Sequence, residues 1–434
     1  MARRELRCGT YPQRTPLIHN AVAGNPVYKR IRTLVANRPT PLAVRNNVRL
    51  AQAGHWNGDM LNTLSTPDPL CDTQPSEPSD TAQRLGDAGY PTEAIALLGI
   101  SSLHGVGFQT MVRLGGRDGI RGFLKAKDVR HFERAIGDAG GRLPAGTVRA
   151  EWSDLRRQIW TSGTHTASLL AAAGVKFCFL GDPEFPKAFI GLPSAYQPMW
   201  LFYRGDITVL DRSSITIVGT RQPTLNGDFL ARYSVSCARE FDAPVISGLA
   251  QGIDRIVHEW CLQIGLPTVS VMGTGMLTTY PAKHAVLGDS IVAAGGLLIS
   301  EYLPQQGPTG ENFVWRNRRL QSALGRVVIP AEWARKSGTA HTVRFARKLS
   351  RPVFSISLSG AQRAPDAGDG DRHFELPRDH AAFMEALRSE VSAPVHSKIQ
   401  RQARWTSSAA SLDGTEAHPD VAGWNCRRGR EGQA

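Results

Sequence analysis

The chain has 434 residues, with 51 Lys and Arg against 38 Asp and Glu, for a formal net charge of +13. That length suits two or three domains, and the basic excess favours nucleic acid or another polyanion as partner. Six cysteines with no CxxC pair argue against a zinc ribbon or a disulfide framework. The sequence has no run of about 18 apolar residues, so no membrane span and a cytoplasmic location are expected.

Residues 1–82 show no sustained hydrophobic period, and Ser65–Asp80 is polar and Pro-rich, so a low-complexity, disordered extension is expected there. Residues 83–172 turn helical. Ala94, Ile95, Leu97 and Leu98 precede Leu103-His104-Gly105-Val106-Gly107, and Met111, Val112 and Leu114 follow. The pattern fits a small helix-hairpin-helix or SAM-like domain, whose hairpin can offer N–H groups to a DNA phosphate. A plain turn between helices fits the same residues. Val175, Phe177 and Phe179, then Met199 to Tyr203, give two strand-like connectors.

From Ile215 the chain alternates strand and helix. Strands are expected at Ile215–Val218, Pro244–Ile246, Thr268–Met272, Leu297–Ser300, Val327–Pro330 and Pro352–Ile356. Helices are expected near Asn226–Phe241, Asp254–Ile264, Lys283–Ala293, Arg316–Leu324 and Thr339–Leu349. Apolar strands between amphipathic helices indicate an α/β fold, an extended Rossmann-like, doubly wound parallel sheet over residues 173–392. Ligands of such sheets bind beyond the carboxyl ends of the strands. Residues 393–434 read as a disordered basic tail.

The strand-end turns carry the chemistry. Gly219 permits a tight turn, Thr220 offers a hydroxyl, and Arg221 a planar, permanently charged fork. Ser247-Gly248-Leu249-Ala250-Gln251-Gly252 enters a helix whose first N–H groups lack intrahelical acceptors. Its spacing is not GxGxxG, and no acidic residue is placed to hold a ribose, so no dinucleotide cofactor is expected. Ser337-Gly338-Thr339 is a third turn of this kind. Asp254 and His258 lie four apart and suit either a catalytic or metal pair, or a structural hydrogen bond at a helix start. No third ligand or nucleophile accompanies them, so no metal and no catalytic residue are expected.

Lys283 can reach a phosphate, and Tyr280 and Phe313 can stack on bases beside Arg316-Asn317-Arg318. Residues 211–310 hold 6 Lys and Arg against 8 Asp and Glu, whereas residues 311–351 hold 10 against 2. Arg344, Arg347, Lys348 and Arg351 recur at helical spacing as one basic stripe. Together these features predict a track for a polyanion.

In sequence order, the chain presents Gly-Asp-Pro-Glu-Phe-Pro (181–186), Leu-Phe-Tyr-Arg-Gly-Asp (201–206), Ile-Val-Gly-Thr-Arg (217–221) and Ser-Gly-Leu-Ala-Gln-Gly-Ile-Asp-Arg-Ile-Val-His (247–258). It continues with Gly-Thr-Gly and Tyr-Pro, Ser-Glu-Tyr (300–302), Asn-Phe-Val-Trp-Arg-Asn-Arg (312–318) and Ser-Gly-Thr-Ala-His-Thr (337–342). This set resembles the DNA-processing protein A (DprA or Smf) family over about 174–357, and more weakly back to 88. The resemblance implies a non-catalytic protein that binds single-stranded DNA, loads the RecA recombinase during natural transformation and forms a homodimer. By position, it implies that Arg221, Lys283, Phe313, Arg316 and Arg318 line the DNA track, with Ser247 and Gly248 at phosphates. Ala331-Glu332-Trp333 departs from the family's usual Glu-Ala before the last Ser-Gly turn.

The competing reading is a nucleotide phosphoribohydrolase of the lysine-decarboxylase-like Rossmann group. That group carries Pro-Gly-Gly-x-Gly-Thr followed closely by Glu. Here Ser337-Gly338-Thr339 is followed by Ala, His, Thr, Val and Arg, which leaves no carboxylate to assist glycosidic cleavage. A basic scaffold that binds only proteins would need none of these phosphate-type turns.

Overall fold

The computed structural model describes residues 80–360 and 371–393. The expectations for 1–79 and for the tail from 394 lie outside the described residues. Seven helices come first: α1 (Asp80–Asp87), α2 (Thr92–Ser101), α3 (Phe108–Arg113), α4 (Gly116–Leu124), α5 (Val129–Asp138), α6 (Ala145–Val148) and α7 (Trp152–Ala172). Helix α1 thus begins inside the stretch expected to be disordered. Gly99 on α2 and Gly163 on α7 let the two backbones touch. A Cβ on either would collide with the carbonyl of Ile159 or Ile95. The helical core around Leu97, Phe132 and Ile159 runs without a break into Phe177, Phe179, Trp200 and Phe202.

Those last four residues belong to β1 (Lys176–Phe179) and β2 (Trp200–Gly205), which the sequence presented only as connectors. They join the main sheet. With β3 (Ile215–Gly219), β4 (Val245–Ser247), β5 (Thr268–Val271), β6 (Leu297–Ser300) and β7 (Val327–Glu332), the order is β1-β2-β6-β5-β4-β3-β7. The expected parallel sheet is therefore mixed. Strands β6 to β7 run parallel, while β1–β2 and β2–β6 pair antiparallel. An antiparallel edge on a parallel core is common in large α/β sheets.

Four helices follow the strands: α8 (Leu225–Arg239), α9 (Ile253–Ile264), α10 (Ala285–Ala293) and α11 (Gly310–Arg316). A fifth, α12 (Gly338–Lys348), lies after β7. Side-chain alternation along the strands sends apolar residues to both faces. Leu297 and Ile299 pack with Leu324 and Leu349, while Leu298 packs with Ile291 of α10. Both faces are covered, as in a doubly wound fold. Strands β8 (Phe354–Leu358) and β9 (Arg372–Leu376) pair in parallel, and α13 (His380–Ser392) follows. Phe383 of α13 packs on Phe354 and Phe374. The expected Arg316–Leu324 helix starts earlier. Helix α11 runs through a π-helical turn, Asn317–Gln321, into Ser322–Leu324, so Phe313 sits on the helix with Arg316 rather than on the loop before it.

Among the described residues, no helix is long and apolar enough to cross a membrane, and no group of three potential metal ligands occurs. Cys178, Cys237 and Cys261 are free and buried, and burial pushes their thiols up, those of Cys237 and Cys261 to about 12.

His258 is fully buried on α9. The Thr268 hydroxyl donates to Val245 O, so Thr268 Oγ1 accepts from His258 Nδ1 at 2.9 Å. Its partner is therefore Thr268, not Asp254 as the helical spacing suggested. Burial, reinforced by Arg316 and His284, pushes the imidazole from 6.5 to about 3. Below pH 6.5 the unfolded chain takes up a proton that the folded chain refuses until about 3. This site's contribution is thus complete above 6.5 and lost as pH falls towards 3. Urea midpoints measured at about pH 7 and about pH 4.5 should differ less for His258→Gln than for the wild type.

Candidate nucleic-acid interface

The turns after β3, β4 and β7 converge with α11 around an open groove of about 1010 Å³ at the carboxyl edge of the parallel strands. That is at the upper end of the roughly 300–1,000 Å³ typical of small-molecule sites. Its openness suits a polymer better than an enclosed metabolite.

The first wall is the β3 turn. Gly219 is needed for packing, since a Cβ would meet the Ile253 side chain and Glu332 O. Thr220 N–H donates to Glu332 O at 2.7 Å, and Thr220 Oγ1 accepts from Gln222 N–H. Glu332 also accepts from Thr224 N–H through Oε2 at 2.8 Å, and Thr224 caps α8. Glu332, part of the family departure, therefore pins the whole 220–224 turn. Arg221 projects from that turn into solvent, its guanidinium 5.5 Å from the Phe313 ring centroid.

The opposite wall is the β7 turn and the start of α12. Ser337 Oγ caps Ala340 N–H, and Gly338 is exposed on the groove. The first-turn N–H groups of α12 have no acceptors within the helix and favour an anion. Arg335 and Lys336 are exposed beside them, and Arg344 stands one turn along. Sequence reasoning missed Arg335 and Lys336. The signal was a basic pair immediately before a Ser cap at a strand end, the placement that drew attention to Arg221.

Between the walls, Tyr280 and Phe313 lie with ring centroids 5.5 Å apart, and Tyr280 is 43% exposed. Gly273 makes room for Phe313, because a Cβ there would strike the ring. Phe313 is half-buried, and an accessible aromatic pair next to cations is the usual means of holding unpaired bases.

The floor is polar and buried. Arg316 is 3% exposed and donates through Nη1 to Val271 O at 2.6 Å. A Cβ on Gly248 would collide with both Arg316 Nη1 and Asp254 Oδ2, so the guanidinium and carboxylate meet beneath this glycine. Burial raises the Asp254 carboxyl above its ordinary range, against the opposing pull of the Arg316 charge and the Ala250 backbone. Burial likewise lowers Arg316, and Asp254 opposes that shift.

Several expected DNA contacts are corrected by this geometry. Arg316 is held inside by Asp254 and Val271 and cannot present a charge to a strand. Ser247 is wholly buried, with its hydroxyl donating to Ile217 O. Gly248 is buried over the Arg316 guanidinium. Gly252, at φ 84°, lets α9 abut the β3 turn, and Ile253 N–H donates to Thr220 O. The start of α9 is therefore closed by protein, whereas the turns at 219–221 and 337–339 both line the groove. Thr339 lines the groove although its side chain is buried.

Lys283 is exposed but outside the groove lining, where it donates to Gln251 Oε1 at 3.2 Å. Arg318 is half-buried against the Trp315 and Phe345 rings, also off the groove. The expected basic stripe divides. Arg344 lines the groove, Arg347 pairs with Asp371 at 3.1 Å, and Arg351, beyond the end of α12, donates to Ala323 O.

Comparison with known proteins agrees with this architecture. The family model of DNA recombination-mediator protein A matches residues 176–370. Over these residues the chain is similar to that family. Protein Smf of Synechocystis is 35% identical over 182 residues, 41% of this chain and 45% of the relative. Protein Smf of Escherichia coli is 33% identical over 175 residues, 40% of this chain and 46% of the relative. A putative DNA processing protein DprA of Mycobacterium tuberculosis is 31% identical over 239 residues, 51% of this chain and 61% of the relative. The chain thus spans about half the length of the first two relatives. The crystal structure of DNA processing protein A from Streptococcus pneumoniae superposes with a TM-score of 0.51 at 25% identity, covering 68% of this chain and 98% of that one. It shares the fold.

Removing the buried Arg316 cation leaves the buried Asp254 uncompensated and Val271 O without its donor, at a cost of about 3–5 kcal/mol. Arg316→Ala should therefore lower the urea midpoint steeply, whereas Arg221→Ala, on the exposed rim, should leave it almost unchanged. Urea unfolding of both variants checks this.

Proposed function

We propose that the groove binds single-stranded DNA without catalysis. The observation that carries this reading is the exposed Arg221 set over Phe313 and beside Tyr280, facing the open start of α12 across the groove. Rings take bases, while Arg221, Arg335, Lys336, Arg344 and the N–H groups at Gly338 and Thr339 take phosphates. Because every base has a π-face, such a site tolerates any sequence.

A hydrolytic role finds little support. Asp254 is the one carboxylate among the described groove-lining residues, and it is buried against the Arg316 charge and the Ala250 backbone. A carboxyl held in that way is poorly placed to activate a water or assist a leaving base. The family's description as a recombination mediator extends the reading to loading of a RecA-type recombinase on incoming strands during natural transformation. Homodimerisation belongs to the same proposal and rests on the family resemblance.

Arg221→Ala should weaken binding of an oligothymidylate by about tenfold. It should also lower the slope of log affinity against log salt by about 0.7, the value for one phosphate contact on a single strand. Fluorescence anisotropy across a salt series measures both. Unchanged affinity and slope would contradict the groove assignment. Release of free base from a nucleoside monophosphate would favour the phosphoribohydrolase instead.

A further inference from the structure

The helical part of the chain carries a second basic surface, away from the groove. Two adjoining hollows, of about 620 and about 690 Å³, share Glu133, Val148 and Arg149 in their linings and so form one trough. Arg130 and Arg134, one turn apart on α5, lie on one side, with Arg149 at the end of α6 and Arg142 in the turn between these helices. All four arginines are exposed, and none makes an ion pair among the described residues. Elsewhere in the same helical part, Arg117, Arg121 and Arg157 each have a carboxylate partner. Glu133 is the one carboxylate lining the trough. Four like charges held on short rigid elements, facing one carboxylate, repel one another unless a polyanion lies across them.

The hairpin singled out in the sequence borders this trough. Gly105, at φ 84°, abuts the Arg142 backbone so closely that a Cβ would collide with its carbonyl. Arg142 N–H donates to Gly105 O at 3.1 Å. The contact fixes Arg142 and sets His104 at the trough's edge.

Composition distinguishes the trough from the groove. No Phe, Tyr or Trp is among its lining residues, since Phe123 and Phe132 are buried in the core and Trp152 packs against them. A surface of four guanidinium groups with no Phe, Tyr or Trp offers charge rather than an aromatic stacking platform, which suits the phosphate backbone, as in sequence-independent duplex binding.

We propose that the Arg130–Arg134–Arg142–Arg149 trough binds the backbone of double-stranded DNA. The molecule then has two nucleic-acid sites of different chemistry, suited to a junction between duplex and single strand. The site does not depend on the groove's assignment.

The test uses the full chain and measures anisotropy of a blunt duplex and of an oligothymidylate across a salt series. Arg134→Gln combined with Arg149→Gln should reduce the duplex salt slope by about 1.8 (two B-DNA phosphate contacts) and weaken duplex binding at least tenfold. Single-strand affinity should stay unchanged. Arg221→Ala should do the reverse. Arg130→Gln combined with Arg142→Gln provides a second, independent pair of substitutions on the same surface. Failure of the wild type to bind duplex would overturn the proposal. So would unaltered duplex affinity in both double variants, or an equal loss on both substrates. Failure of the groove reading would show only in the single-strand arm.

Discussion

The arrangement depends on one buried cation. Arg316 lies under the groove, bonded to the carbonyl at the end of β5 and coupled to Asp254 at the start of α9, and it passes beneath Gly248 after β4. One guanidinium thereby ties the turns after β4 and β5 to α11. Its planar fork and permanent charge suit it to this task, which a lysine could not perform in the same geometry. Phe313, three residues earlier on α11, lies 5.9 Å from the same guanidinium and 5.5 Å from that of Arg221. The buried arginine thus holds the ring whose other neighbour is the exposed arginine.

This explains why the glycines matter. They were read from sequence as places for a phosphate to approach, yet most make room for protein. Gly219 admits Ile253, Gly248 admits Arg316, Gly252 admits the β3 turn, and Gly273 admits Phe313. The close packing draws the turns together so that the turn at Ser337-Gly338 faces Arg221 across the groove. Glu332 serves the same end by anchoring the 220–224 backbone.

The alternation of strands and helices from Ile215 to Lys348 was legible because period and turn chemistry agree there. The edge strands β1 and β2 were legible as strands but not as sheet members, since antiparallel pairing with β6 depends on long-range register. Strand β9 and helix α13 carried no comparable signal before the structure. Arg221, Phe313 and the 337–339 turn all line the groove, as their places at the strand ends led one to expect. Arg316 and Ser247 were misread because the residue type gave no indication of burial. An arginine before a helix turn looks the same whether it faces water or a carboxylate. The expected basic stripe failed for a related reason: helical spacing places side chains on one face, but Asp371 and Ala323 had already claimed two of its members.

The central claim, that an unpaired strand lies in the groove roofed by Phe313 and floored by Arg316, is tested most directly by hydrogen–deuterium exchange with and without bound oligothymidylate. Slower exchange confined to the backbone around 219–224, 309–314 and 335–342 is the predicted result. Protection absent from all three segments, while the oligonucleotide is demonstrably bound, would contradict the account.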